Sequence, residues 1–137
     1  MFTKSLLLIC LCSLFVAQSA SATKIYLDGE ARDDDRVGKN LIFEIKDILR
    51  GSNTFELVAD APDSGQCVIA SMICVKDGDY ATAYSLVLGL GNKLIIGFWT
   101  HKVGLCGEDR IASVARSAVS GIAEHLDIVR KSGFNVE

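Results

Sequence analysis

The chain has 137 residues, half of them hydrophobic and 23% charged, with a formal net charge of −3 at pH 7. It contains one proline, no low-complexity tract and no internal repeat, so its composition is that of a folding domain and not of a disordered tail. The acidic balance excludes the basic stripe that nucleic-acid binding needs, and no apolar run reaches the roughly 20 residues that cross a bilayer.

Residues 1–22 read as a cleaved secretory signal. Lys4 supplies the charged start, Ser5 to Ala17 the short apolar core, and Ala20-Ser21-Ala22 the small residues of a cleavage site. Ile9 and Leu11 precede Cys10 and Cys12 where a lipid-anchored cysteine wants a small residue, so these do not read as lipoprotein anchors. The expected mature chain is a single domain, 23–137, with 13 basic and 17 acidic side chains and a formal charge of −4.

Lys24-Ile25-Tyr26-Leu27 alternates and predicts a first strand. Asp28 to Asp35 is acidic and reads as a loop into a helix over 36–50, whose stripe is Val37, Leu41, Ile42, Ile45, Ile48 and Leu49. The aspartates suit a helix start, and one of them is a candidate cap. A cation site in this cluster lacks the loop spacing of a calcium hand, so metal binding is not expected. Phe43 points about 160° away from the stripe, among Arg36, Lys39, Lys46 and Arg50. An aromatic there could meet an acidic partner, although a single exposed apolar residue is ordinary.

Phe55-Glu56-Leu57-Val58 predicts a short strand, and Ala59 to Gln66, with Pro62 and Gly65, a loop. Cys67 to Val75 is a buried strand. Asp77-Gly78 predicts a two-residue hairpin into a strand over 80–90. Gly91-Asn92 predicts another tight turn, into a strand over 93–103. Glu108 to Lys131 forms a long helix with its stripe at Ile111, Val114, Ala115, Ala118, Ile122, Leu126 and Val129, ended by Gly133. His125 falls near that stripe as a hydrogen-bonded core histidine.

The order strand, helix, three-strand meander, helix predicts an α+β two-layer sandwich, with both helices on one face of a mixed sheet and the first strand joined in parallel through a crossover. With two-residue turns, Val68, Ala70, Met72 and Cys74 would face the helices. The opposite face would then carry Tyr80, Tyr84, Trp99 and His101, with Ser71, Tyr84 and Trp99 in one cross-strand row. An uncovered face of this kind is an interface; the competing reading closes it against a loop such as Ala59 to Gln66. A one-residue slip at either turn would exchange the faces.

Three cysteines remain after cleavage. Cys67 and Cys74 would stand about 23 Å apart along one strand, too far to bridge. Cys74 and Cys106 lie at the same end of the sheet, so the expected disulfide is Cys74–Cys106, with Cys67 as a spare thiol. No hydrolase elbow, zinc-protease motif or phosphate loop is present, and no cofactor is expected.

The layout resembles small bacterial envelope modules, the amino-terminal domain of TolB and the CsgG-like lipoproteins. The helix ending Ile48-Leu49-Arg50-Gly51, the segment Phe55-Glu56-Leu57-Val58, the strand Val68-Ile69-Ala70-Ser71 and the closing helix with Ile111-Ala112 and Ile122 carry the likeness. The likeness does not extend to the propeller of TolB or to the anchored cysteine of the CsgG-like proteins. The resemblance implies a non-catalytic periplasmic partner-binding role. The partner expected for the aromatic face is a protein of the cell envelope or a second copy of the chain. The alternative is an exported inhibitor or immunity protein that blocks an enzyme's cleft with the acidic stretch Asp28 to Asp35.

Overall fold

A computed structural model describes residues 21–133. The body of the expected signal segment, residues 1–20, lies outside the described residues. The elements are β1 (Thr23–Ala31), α1 (Arg36–Arg50), β2 (Phe55–Val58), β3 (Cys67–Lys76), β4 (Ala81–Gly91), β5 (Ile96–Gly107), a 3-10 turn (Glu108–Arg110) and α2 (Ile111–Lys131). They form an α+β sandwich of one five-stranded mixed sheet, order β2-β1-β3-β4-β5, with both helices packed on one face. β1 runs parallel to β2 and β3, and β3, β4 and β5 form the antiparallel meander.

The core lies between sheet and helices. Ile25 and Leu27 of β1, Val68, Ala70 and Met72 of β3, and Leu86 and Leu88 of β4 meet Leu41, Ile45 and Leu49 of α1 and Ala118, Ile122 and Leu126 of α2. The helical stripes read from the sequence are therefore the buried stripes.

β1 is longer than expected. It continues through Asp28 and Glu30 to Ala31 and pairs with β3 as far as Cys74, so only Arg32 to Asp35 connects it to α1. Alternation explains this: Leu27 points into the core, while Asp28 and Glu30 point to the other face, where water takes their charge. A side chain at Gly29 would meet Ile42 at 2.6 Å, so this glycine lets α1 lie close on the strand.

Both hairpins differ from the two-residue turns expected. Asp77 to Tyr80 form a four-residue connection, closed by the Asp77 amide donating to the Ala81 carbonyl (2.9 Å). Asn92 to Ile95 form the second, where the Asn92 side-chain oxygen accepts from the Leu94 and Ile95 amides (2.9 and 3.1 Å). The Asn92 and Lys93 amides donate to the Ile95 and Pro62 carbonyls, which ties this turn to the Ala59–Gln66 loop. The first change moves the β3–β4 register by an odd number of residues, so β4 is turned over relative to the expectation. The second change is odd as well and restores the expected facing of β5 from Thr100 onward. A bulge beside Leu88 and Gly89 then leaves Trp99 unpaired and puts Phe98 opposite Gly89.

Candidate functional site: the uncovered face of the sheet

The face away from the helices is built in cross-strand rows over β3, β4 and β5. Ile69, Gly89 and Phe98 form the first row, and Ser71, Val87 and His101 the second. Ile73, Ser85 and Val103 follow, then Val75, Ala83 and Leu105. Phe98 is 70% exposed, Val103 66% and Leu105 61%; Ile73 and Val75 are half exposed. The β4–β5 turn adds Leu94 and Ile95, and the start of β5 adds Ile96, all open to solvent. Asp28 and Glu30 of β1 flank the apolar field beyond β3.

The loop of residues 59–66 covers one corner only. Ala61 closes over Cys67 and Ile69, with Tyr26 packed alongside. The expected closure by this loop is thus real at β3's first residues and does not extend to the rows on β4 and β5.

The expected aromatic surface is corrected in two of its members. Tyr84 is 8% exposed and faces the helices, because the longer first hairpin turns β4 over. Gly104 lies opposite Tyr84, and a side chain there would come within 2.8–2.9 Å of its phenol, so the glycine makes room for the ring. Trp99 also faces the helix layer, half buried, with His125 edge-on at 5.8 Å between ring centroids. The bulge causes this, and Phe98 takes the outward place expected of Trp99. Only His101 lies in the field as expected, with its ring 6.2 Å from that of Phe98. Tyr80 is exposed in the first hairpin. Phe43 is 62% exposed on α1, on the helix side of the molecule and away from these residues.

His125 is half buried, and its Nδ1 donates to the Gly121 carbonyl at 2.8 Å, the direction fixed because a carbonyl only accepts. At the sheet end near the β4–β5 turn, a cavity of about 630 Å³ is walled by Leu90, Ile95, Phe98, Trp99 and Val129. Its apolar walls continue the exposed surface of the turn.

The expected Cys74–Cys106 disulfide is not formed. Cys67, Cys74 and Cys106 are all free and buried. Cys74 pairs with Tyr84, and Cys106 with Thr82, on opposite sides of β4. Two strand spacings, about 9.6 Å, already exceed the roughly 7 Å between Cα atoms that a bridge spans. Burial, then the nearby Asp35, pushes the Cys74 thiol up to about 11, against a smaller opposing effect of its hydrogen bond with Thr82. Burial also raises the Cys67 and Cys106 thiols and the Tyr84 phenol. These are protonated, unreactive groups at neutral pH.

Of the acidic stretch, Asp35 is the cap: its Oδ1 accepts from the Gly38 amide (2.7 Å) and its Oδ2 from the Thr82 hydroxyl (2.6 Å). Asp33 and Asp34 stay exposed beside Lys39, Arg32 and Lys76. Among the described residues no group of three or more acidic, His or Cys side chains is placed to hold a metal, and no helix is long and apolar enough to cross a membrane.

No family model matches the chain, and no curated protein matches it. Among solved structures it is similar to the hypothetical protein CT253 from Chlamydia trachomatis, at 7% identity and a TM-score of 0.40, over 61% of this chain and 69% of that one. A likeness of this degree carries no statement about function.

Proposed function

We propose that the chain is an exported, non-catalytic binding or assembly module of the cell envelope, whose working surface is the uncovered face of β3, β4 and β5. One observation carries this reading: Ile73, Val75, Val87, Phe98, Val103 and Leu105 lie exposed side by side on that face. A contiguous apolar field is costly to leave in water and marks an interaction surface. Export rests on the order Lys4, apolar run, Ala20-Ser21-Ala22. Cleavage after Ala22 would leave every strand whole, since β1 begins at Thr23. The resemblance to the TolB amino-terminal domain and the CsgG-like proteins supports the same compartment and role. A non-catalytic role is in keeping with the burial of Cys67, Cys74 and Cys106, which withholds these thiols from use as nucleophiles.

Photo-crosslinking in the host tests the reading. A crosslinking residue at Val103 or Leu105 should join the chain to a protein identifiable by mass. The same residue at Phe43 or Ile128, exposed on the helix side, should give little. Equal yields from both sides, or none from the sheet positions, would contradict the reading.

A further inference from the structure

We infer that the partner of this face is a second copy of the chain, packed sheet against sheet across a two-fold axis; this rests on the face being the working surface.

The relief of the face favours its own copy. Along β4 it carries Gly89, Val87, Ser85 and Ala83, a trough of mostly small residues. Along β5 it carries Phe98, His101, Val103 and Leu105, a raised ridge beside that trough. A two-fold axis between the columns sets the ridge of each copy into the trough of the other, the self-complementary contact that a symmetric dimer requires. Sheets stack face to face in this way at about 10 Å, with their inner side chains interdigitated.

Area and charge agree. The five large apolar side chains of the β4–β5 half, Val87, Ile96, Phe98, Val103 and Leu105, leave on the order of 500 Å² exposed, the apolar part of a contact at the small, reversible end of specific interfaces, which take roughly 800 Å² from each partner at standard size. The rows on β3, β4 and β5 contain no Asp, Glu, Lys or Arg, so two copies bring no like charges together there. Asp28 and Glu30 of β1 would repel their counterparts if the overlap reached them, which confines the contact to the β4–β5 half. β5 is the sheet's edge, so nothing on that side blocks a copy displaced outward by a strand. Edge-to-edge pairing of β5 alone would leave the apolar field in water and does not meet the observation.

The test is sedimentation of the protein purified from its own host. The wild-type chain should run as twice the chain mass at tens of micromolar and dissociate on dilution. Val103→Asp should weaken association at least 100-fold. Chains carrying Ser85→Cys mixed with chains carrying Val103→Cys and then treated with a short bismaleimide, which reaches across the roughly 10 Å between stacked sheets where a disulfide does not, should give a linked mixed pair in preference to either like pair, a readout that does not depend on the aspartate variant folding. A single-chain mass at 100 micromolar would overturn the inference. If crosslinks from Val103 then lead to a different protein, the face remains the working surface and only the second copy is excluded; if they lead nowhere, both fall. A dimer that survives Val103→Asp and gives no 85–103 link would set the contact elsewhere and overturn it as well.

Discussion

Asp35 joins the two layers through one carboxylate. It is 1% exposed, caps α1 and accepts the Thr82 hydroxyl from β4. Losing a cap costs about 1 kcal/mol, and leaving buried hydrogen-bond partners unmatched costs about 1–3 kcal/mol more. Asp35→Ala should therefore destabilise the fold by roughly 2–4 kcal/mol in urea unfolding. Asp34→Ala, an exposed neighbour, should change stability by less than about 0.5 kcal/mol. The sequence offered three adjacent aspartates and no means of choosing among them, because the choice depends on Thr82, 47 residues away.

The thiols give a second test at this scale. Among the described residues the cysteines, Cys67, Cys74 and Cys106, are buried and protonated, so iodoacetamide at pH 8 should leave these three unmodified in the native chain and label them in denaturant. A chain in denaturant that labels Cys67 alone before reduction, and Cys74 and Cys106 only after it, would instead carry a bond between these two positions. Their raised values also set an alkaline limit. Below about pH 8.5, where the unfolded thiols are protonated too, the folded state keeps its full advantage. Above it the unfolded chain releases protons that the fold retains, so stability should fall as pH rises toward the value of about 11 for Cys74. Urea midpoints at pH 8 and pH 10 measure this; an unchanged or higher midpoint at pH 10 would contradict it.

At the scale of elements, both helical stripes were legible from periodicity and the parallel entry of β1 from the crossover rule, and the facing of β3 is the one expected. Val68, Ala70, Met72 and Cys74 point to the helices as expected. What sequence reasoning missed lay in the turns. Asp77-Gly78 and Gly91-Asn92 are strong two-residue signals, yet both connections have four residues: Asp77-Gly78 opens the first, and in the second only Asn92 lies in the turn, Gly91 being the last residue of β4. Tyr80 and the run Leu94-Ile95 read as strand by composition, and only the pairing shows them outside it. Alternation has period two, so an odd error at a turn reverses a whole strand, and this sent Tyr84 to the wrong face. A local signal was present: Leu86, Leu88 and Leu90 share Tyr84's parity and form a more apolar set than Ala81, Ala83, Ser85 and Val87. The bulge at Trp99 has no comparable sequence mark.

The corrected register has an energetic consequence. Tyr84→Ala should cost about 3–5 kcal/mol, as truncating a core aromatic does. Phe98→Ala, outward on the field, should leave stability within about 1 kcal/mol while weakening association. Thermal or chemical unfolding of the two variants decides between the registers; a large loss for Phe98→Ala with a small one for Tyr84→Ala would restore the expected one.

The whole molecule presents two unlike sides. The helix side carries charge and the isolated Phe43 and Ile128, while the sheet side gathers the apolar field and the tip of the β4–β5 turn. The two sheet edges are unlike as well: β2 is four residues long, and β5 twelve. A long edge strand beside an uncovered apolar face is a liability for an isolated chain, and one that a partner removes. Export has its own check. Mass spectrometry of the protein from its host should give Thr23 as the amino terminus, and an intact Met1 form in the cytoplasm would contradict the compartment and the envelope role together.

The most direct measurement is hydroxyl-radical footprinting of the chain in its host envelope, compared with the purified chain at high dilution. Phe98, Val103 and Leu105 should be oxidised readily in the diluted chain and protected in the envelope, while Tyr84 is protected in both and Phe43 in neither. Modification of Tyr84 on a par with Phe98 in the diluted chain, or the same oxidation of Phe98 in both settings, would contradict the account.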